Sequence, residues 1–383
     1  MIKVITGIRR SGKSTLLEMF RQELLATGVD ESRTQSLNLE RPENKEFLEW
    51  EKLYYHIKDN LVATGNNYIF LDEIQAVPDF ERAINGLFEL DGVDLYITGS
   101  NAYFLSSQIA TLLTGRYMQL GILPFSFAEC LQVVGTDGDM AQKLMDYASY
   151  GSFPESVMLA NDGLTDRAQE YIRSIFDTVL LKDVVARKGI SDVSTVNALF
   201  EFISDSIGSY VSSNKIANYL TSKGVKVSRP TVDSYLAAFS DAFITCPTHR
   251  FDIKGKSIMA RQQKIYLTDV AMRKAIAGRQ PAPDFGHVIE NIVYLELLRR
   301  YTNVWVGKAG EYEVDFVVQD AKGYITYYQV ALSVRDKQVR ERELRALKAI
   351  PDANRRYLIT LDPEEPVYDG VRQVSLTNWL ISA

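Results

Sequence analysis

Cysteine and histidine are scarce in this sequence, with two cysteines, Cys130 and Cys246, and three histidines among 383 residues. Two cysteines so far apart do not form a disulfide framework, which indicates a reducing compartment. The scattered cysteines and histidines also predict no zinc site. The chain has no signal-peptide pattern and no run of about 18 apolar residues, the length that a membrane-spanning helix needs. We therefore expect a cytoplasmic protein without a membrane partner.

A strong excess of charge of one sign is also absent. The chain carries 43 basic and 49 acidic residues, for a formal net charge of −6. This balance gives no overall nucleic-acid signal, so a site for a polyanion would have to be a local basic patch. A length of 383 residues suffices for two or three domains.

The most informative stretch runs from residue 3 to residue 15. The apolar residues Val4 and Ile5 lead into Gly7-x-x-x-x-Gly12-Lys13-Ser14, and an apolar-spaced stretch follows. This order predicts a strand, a phosphate-binding P-loop and a helix whose N terminus faces the anion. Lys13 would reach the β- and γ-phosphates of ATP, and Ser14 would bind Mg²⁺. Arg9 and Arg10 would contact either phosphate or a partner, and the predicted nucleotide-binding set is Gly7, Ile8, Arg9, Arg10, Ser11, Gly12, Lys13, Ser14 and Thr15.

A second motif supports the first. Four apolar residues, 68–71, end in Asp72 and Glu73, as in a buried parallel strand whose carboxyl end carries the chemistry. Asp72 would complete the Mg²⁺ site, and Glu73 would activate the attacking water. Asn101 follows the predicted strand 94–98 and would orient that water. Arg116 would stabilise transition-state charge, in its own subunit or in a neighbour.

The middle of the chain has a different texture. A polar stretch at 135–139 marks a boundary, and a long helix is predicted over 166–185. Helices at 193–207, 212–220 and from 228, followed by strands at 243–250 and 264–268, predict a helix-turn-helix with a wing. Basic residues in both parts suit phosphate contacts, although the alternative of a protein-binding winged helix stays open. They are Lys223, Lys226 and Arg229 at the start of the recognition helix, and Arg250, Lys254, Lys256, Arg261 and Lys264 in the wing.

The last hundred residues predict an α/β unit. An amphipathic helix at 288–298 is followed by strands at 304–306, 313–318 and 325–330, a helix at 336–349 and a strand at 357–360.

The motifs of the first 130 residues resemble AAA+ ATPases of the archaeal-type group. The resemblance rests on residues 7–15, 71–75, 98–101, 115–116 and 123–129. It implies that Asn101 is the sensor residue and that Arg116 is an arginine finger. Because Met1 lies almost on the first strand, we expect some of the sequence that contacts the nucleotide base to be missing from this chain.

The rest of the chain resembles the domain of unknown function that commonly follows this ATPase, on residues 181–187, 264–269 and 290–291. Its last segment is similar to PD-(D/E)XK nuclease folds. That similarity implies that Glu290, Asp315 and Gln329 match three nuclease positions, where acids would hold Mg²⁺. The lysine expected two residues after the third position is replaced by Ala331, which favours a degenerate module used for binding or docking.

Together these patterns predict an α/β protein with a P-loop AAA+ doubly wound parallel sheet at residues 1–134. A helical linker or lid (139–190), a winged helix (191–270) and a restriction-endonuclease-like α/β domain (284–383) would follow. The expected function is Mg²⁺-dependent ATP hydrolysis coupled to DNA binding or remodelling, in a homo-oligomer or ring. Two alternatives remain open, namely a nucleotide-switched scaffold acting on protein partners and an ATP-licensed nuclease.

Overall fold

The structure is a computed structural model that describes residues 1–100, 113, 115–185, 192–364 and 368–382. Contacts divide it into two compact units. The first comprises Met1–Ile122 together with Asp241–Phe243, and the second comprises Leu123–Ser240 and Ile244–Ala383. Within the described ranges, no helix is long and apolar enough to cross a membrane.

The first unit is built on a five-stranded sheet of order β2-β3-β4-β1-β5, in which every pair is parallel. Alternate residues of β3 face opposite layers, so that Ile69 packs with α2 and α3 while Phe70 packs with α1. The predicted doubly wound parallel sheet is therefore confirmed. Its elements are β1 (Ile2–Thr6), α1 (Lys13–Ala26), β2 (Thr34–Asn38), α2 (Trp50–Asp59), β3 (Asn67–Asp72), α3 (Phe80–Phe88), β4 (Val93–Gly99) and β5 (Tyr117–Gly121).

Two local features of this unit have no clear signal in the sequence. The residues before α2 form a 3₁₀ segment, Pro42–Leu48, and α2 begins only at Trp50 because Glu49 adopts an extended conformation. Strand β5 is not predicted by the sequence, since its side chains Met118 and Leu120 are exposed at the sheet edge and give no signal of burial.

The second unit contains an eight-stranded mixed sheet of order β13-β12-β11-β10-β9-β7-β8-β6. Its helices are α4 (Phe127–Val134), α5 (Met140–Tyr150), α6 (Pro154–Asn161), α7 (Thr165–Val179), α8 (Val193–Asp205), α9 (Ser213–Ser222), α10 (Arg229–Asp241), α11 (Met272–Ala277), α12 (Phe285–Arg300), α13 (Lys337–Lys348) and α14 (Leu376–Ile381). Its strands are β6 (Tyr210–Val211), β7 (Thr245–Asp252), β8 (Ser257–Leu267), β9 (Asn303–Ala309), β10 (Tyr312–Gln319), β11 (Ile325–Val330), β12 (Arg355–Thr360) and β13 (Arg372–Ser375).

Two of the predicted helices differ from the structure. The helix expected over 166–185 is α-helical only to Val179, and a π-helical segment covers Leu180–Val185. Helix α12 is not amphipathic, because residues 291–297 are all buried. It is a buried helix of the core, which is why charged groups on it need partners inside the protein.

One sheet joins the segments that the sequence suggests as separate domains. Strand β7 pairs antiparallel with β8 and parallel with β9, with Phe251 opposite Gly307. The hairpin β7–β8 therefore continues directly into the α/β segment. Contacts separate the chain after Ile122, and the segments 139–190, 191–270 and 284–383 fall in the second unit except for residues 241–243.

Candidate active site

The turn between β1 and α1 has the geometry of an anion cradle. Gly7 and Gly12 have positive φ angles, 154° and 101°, and a Cβ at Gly7 would lie 2.1 Å from the carbonyl oxygen of Ile122. No side chain caps α1, and its first turn contains no acidic residue. The N–H groups at this helix end therefore remain available to an anion, and the site fits a nucleotide phosphate.

Lys13 is buried inside the loop that it belongs to. Its side-chain Nζ donates hydrogen bonds to the carbonyl oxygens of Gly7 at 2.9 Å and Ile8 at 3.0 Å. Only 4% of the residue is exposed. The ammonium is thus held at the cradle, where it can neutralise phosphate charge.

Asp72 stands in a row of polar side chains at the carboxyl edge of the parallel sheet. It pairs in register with Asn38 of β2. Its Oδ2 accepts a hydrogen bond from Asn38 Nδ2 at 2.6 Å, and its Oδ1 accepts one from Thr98 Oγ1 at 2.6 Å. The carboxylate is therefore fixed in orientation, as a metal ligand requires.

Glu73 is positioned by the same threonine. Its backbone is left-handed, with φ 55°, and its N–H donates to Thr98 Oγ1 at 2.9 Å. The Glu73 carboxylate accepts a hydrogen bond from Ser100 Oγ at 2.9 Å and another from Gln75 Nε2. A strained backbone at the end of a buried strand is typical of a functional position.

Ser14 and Asp72, the two predicted metal ligands, line one open pocket of about 590 Å³. Asn38 and Asn44 contribute polar groups to it. Arg21 and Arg41 also line the pocket, and neither is among the residues predicted from the sequence. The position of Arg41, three residues after the end of β2, is the signal that would have pointed to it, because β2 ends at the same edge as β3.

The other P-loop cations are arranged differently from Lys13. Both terminal nitrogens of Arg9 lie 3.1 Å from Glu40 Oε1. Arg10 adopts a left-handed backbone with φ 67°. Arg9 is thus tied to the segment that follows β2, rather than left for a partner.

Arg116 lies at the amino-terminal ends of the parallel strands, whereas the P-loop lies at their carboxyl-terminal ends. It directly precedes β5, which runs parallel to β1 with Tyr117 opposite Ile2. Its guanidinium lies 3.6 Å from Glu89 Oε1 and packs over the ring of Phe88. Five residues of strand span about 16 Å, so the structure does not bring Arg116 to the P-loop of its own chain. Asn101 lies outside the described residues.

Five of the eight basic residues predicted to contact nucleic acid are exposed on the second unit, around the turn between α9 and α10 and in the turn between β7 and β8, while Arg250 is half-buried. Lys223, Lys226, Lys254 and Lys256 are exposed, and Arg229 is exposed but lies 3.7 Å from Asp233. The expectation for Lys264 was wrong. It is 3% exposed and faces the interior, so it is not a phosphate contact of a wing. The side chain of Arg261 lies outside the described residues.

Lys264 belongs instead to the cluster that contains the predicted nuclease positions. Its Nζ lies 3.0 Å from Glu290 Oε1 and 2.7 Å from Glu313 Oε1. Glu290 also accepts a hydrogen bond from Tyr266 OH at 2.7 Å. Sequence spacing gives no signal for Lys264, because it lies on β8 while the nuclease pattern expects a lysine after β11.

Charges in this cluster shift pKa values in opposite directions. Burial by itself would raise the pKa of Glu290, but the Lys264 ammonium and hydrogen bonds from His287 and Tyr266 lower it below its usual value. Burial, and then the charge of Glu290, raise the pKa of Asp315 well above its usual range. Burial opposes the charge of Lys264, yet the surrounding carboxylates raise its pKa. The cluster thus favours a charged Lys264–Glu290 pair beside a neutral Asp315.

Two family models match the chain. One described as "AAA domain" matches residues 1–131, and one described as "Domain of unknown function (DUF8612)" matches residues 141–282. An uncharacterized protein of Haemophilus influenzae is 34% identical over 99% of this chain and 94% of its own length. The uncharacterized protein MJ1544 of Methanocaldococcus jannaschii is 29% identical over 92% of this chain and 79% of its own length.

Among solved structures, a Walker-type ATPase shares the fold of much of the chain. The Walker-type ATPase PABY2304 of Pyrococcus abyssi has a TM-score of 0.50 at 13% identity, over 72% of this chain and 91% of that one. At this identity the likeness shows a common fold.

The charged pair predicts a pH-dependent difference between two variants of the cluster. Glu290→Gln should lower the free energy of unfolding at pH 7 by about 3 kcal/mol, because it removes the more buried of the two carboxylates that flank the Lys264 ammonium. The contribution of Glu290 is present above its usual pKa and disappears as pH falls through the lowered one, so the loss should shrink towards pH 3. Asp315→Asn should cost less than Glu290→Gln at pH 7, because the raised pKa of Asp315 favours the neutral carboxyl, which an amide resembles.

Urea unfolding followed by intrinsic tryptophan fluorescence, to which Trp305 and Trp379 of the second unit contribute, measures both variants. Glu341→Gln is the control, since its 61% exposed side chain forms a surface pair with Lys337. A loss in Glu290→Gln no larger than in this control would contradict the predicted pairing.

Proposed function

Because this chain belongs to the same family as the Haemophilus influenzae protein and begins with an AAA domain, we propose that it is a Mg²⁺-dependent ATPase. The observation that carries the proposal is the row Asn38, Asp72 and Thr98, which meets the P-loop at one edge of the parallel sheet. This arrangement supports a metal site and a water-activating carboxylate next to the phosphate that the P-loop would bind.

Each residue has a distinct role in the proposed hydrolysis. The loop N–H groups and Lys13 bind and orient the phosphates. Ser14 and Asp72 would hold Mg²⁺, which supplies positive charge to the leaving and transferred phosphates. Glu73 accepts the proton of the attacking water. Arg41 lines the same pocket as Ser14 and Asp72 and would stabilise γ-phosphate charge from within the chain.

Two further residues, Arg116 and Asn101, take part in the proposed hydrolysis. Because Arg116 lies at the end of the strands opposite to the P-loop, it would act as an arginine finger on the nucleotide of a neighbouring subunit, which requires a homo-oligomer or ring. Asn101, just beyond β4, would orient the attacking water.

We propose DNA as the macromolecule on which the ATPase acts. The order α8, β6, α9, α10, β7, β8, with β6 and β7 both paired to β8, supports a winged helix. The exposed lysines flank its second helix turn and its hairpin turn, and both are places where phosphates are contacted in such modules. Since the total charge is negative, these lysines would provide a local positive patch.

One observation favours a nucleotide-switched scaffold as the second candidate. The Glu73 carboxylate already accepts hydrogen bonds from Ser100 and Gln75. Side chains that hold this carboxylate compete with an attacking water for its oxygens, which would slow proton transfer. A protein that binds ATP tightly and hydrolyses it slowly would use nucleotide state to change its contacts with protein partners.

Phosphate release from ATP tests the ATPase proposal, measured for the wild type with no DNA and with single-stranded, duplex or branched DNA. Glu73→Gln should lower kcat by at least about 100-fold while ATP binding persists, because the general base is lost. Glu49→Gln is the control, a 66% exposed glutamate that pairs with Lys52. Equal rates in wild type and Glu73→Gln would contradict the proposal. Rates indifferent to every DNA would favour the scaffold.

Salt dependence tests the DNA contacts. Affinity for duplex DNA should fall steeply with salt, and Lys223→Ala combined with Lys226→Ala should reduce the slope of log K against log salt by about 2, because each lysine releases about one counterion. Lys322→Ala, an exposed lysine in the turn after β10, is the control. Binding with no salt slope, or a slope unchanged by the double variant, would refute these contacts.

A further inference from the structure

The similarity to PD-(D/E)XK folds implies a divalent cation near Glu290, Asp315 and Gln329, and the geometry of this chain does not fit one. Among the described residues, no group of three or more histidine, cysteine, aspartate or glutamate side chains is placed to hold a metal ion. Lys264 instead extends from β8 and places its Nζ 3.0 Å from Glu290 and 2.7 Å from Glu313. An ammonium therefore lies among the carboxylates.

The remaining positions are engaged by protein groups. Asp315 Oδ2 accepts a hydrogen bond from the backbone N–H of Val330 at 2.8 Å. Gln329 Oε1 accepts one from the N–H of Asp315 at 3.3 Å, while its Nε2 donates to Glu343 Oε2 at 3.1 Å. Both side chains are therefore held by hydrogen bonds to other protein groups, as structural residues are.

The lysine is more buried than the two carboxylates that flank it. The exposed fraction of the Lys264 side chain is 4%, against 12% for Glu290 and 34% for Glu313. Its Nζ also lies 5.8 Å from the ring centre of Tyr210, which belongs to β6. A buried ammonium needs such compensation, and one that has it does not exchange readily with solvent ions.

We propose that Lys264 permanently takes the place of the divalent cation, so that this nuclease-like site is a metal-free structural junction without phosphodiesterase activity. The junction links strand β8 of the hairpin to α12 and β10. It thereby holds the β7–β8 hairpin against the α/β segment. The inference is independent of the ATPase proposal, because its residues all lie in the second unit.

A consequence distinguishes this junction from an ordinary surface ion pair. Replacing Lys264 with an uncharged side chain of similar length leaves Glu290 and Glu313, the two carboxylates that contact its Nζ, without their shared cation. Carboxylate oxygens are the ligands that Mn²⁺ and Mg²⁺ prefer, so this variant should acquire a divalent site.

Titration with Mn²⁺, with free Mn²⁺ measured by electron paramagnetic resonance, tests the proposal on the nucleotide-free full chain. The wild type should show the same binding as Asp315→Asn, that is, no Mn²⁺ that depends on Asp315. Lys264→Met should bind one additional Mn²⁺ at least ten-fold more tightly than the wild type does, and Lys264→Met/Glu290→Gln should lose it. Lys254→Met, a change at an exposed lysine of the β7–β8 turn, should match the wild type.

Two results would overturn the proposal. The first is wild-type binding of Mn²⁺ that Asp315→Asn abolishes, because the lysine would then not exclude the metal. The second is a folded Lys264→Met protein that gains no Mn²⁺ site. If Lys264→Met does not fold, the comparison of wild type with Asp315→Asn decides alone. Metal-dependent nicking of supercoiled plasmid by the wild type, lost in Asp315→Asn, would also overturn it.

Discussion

The proposed chemistry of the first unit depends on one hydroxyl group. Thr98 Oγ1 donates to the carboxylate of Asp72 and accepts the N–H of Glu73, so a single atom orients the proposed metal ligand and the proposed base. It does so because β3 and β4 pair in parallel, with Leu71 opposite Ile97, which leaves the next residues of both strands adjacent at the sheet edge. The helix dipole of α1 and the burial of Lys13 then act on a constellation that is already assembled.

In the second unit, several acidic side chains are buried or half-buried and require a compensating charge. The carboxylates of the cluster lie on elements packed around β8, and the Lys264 ammonium makes their burial tolerable. The same contact fixes the hairpin next to the strands β9 and β10. Sheet continuity and this ion pair therefore join segments that look like separate modules along the sequence.

The sequence predicts correctly those elements that depend on residues adjacent along the chain. The strand ending in Asp72 and the glycine-bounded loop before Lys13 are visible because apolar runs and glycine spacing are properties of adjacent residues. The edge strand β5 and the location of Arg116 depend on which strands pair, and spacing does not report that. The sequence predicts Lys264 to be a solvent-facing wing residue, because its partners Glu290 and Glu313 are distant along the chain and leave no local signal. Helix α12 looked amphipathic although neighbours cover all its sides.

The role of the Thr98 hydroxyl is best tested by comparing the rates of ATP hydrolysis of Thr98→Val and Thr98→Ser. Valine keeps the shape of threonine and removes the hydroxyl, whereas serine keeps the hydroxyl. We predict a fall in kcat on the order of 10- to 100-fold for valine, the worth of a buried hydrogen bond to a charged group, and a largely retained rate for serine. Unchanged hydrolysis in Thr98→Val would show that this hydroxyl does not organise the two acids.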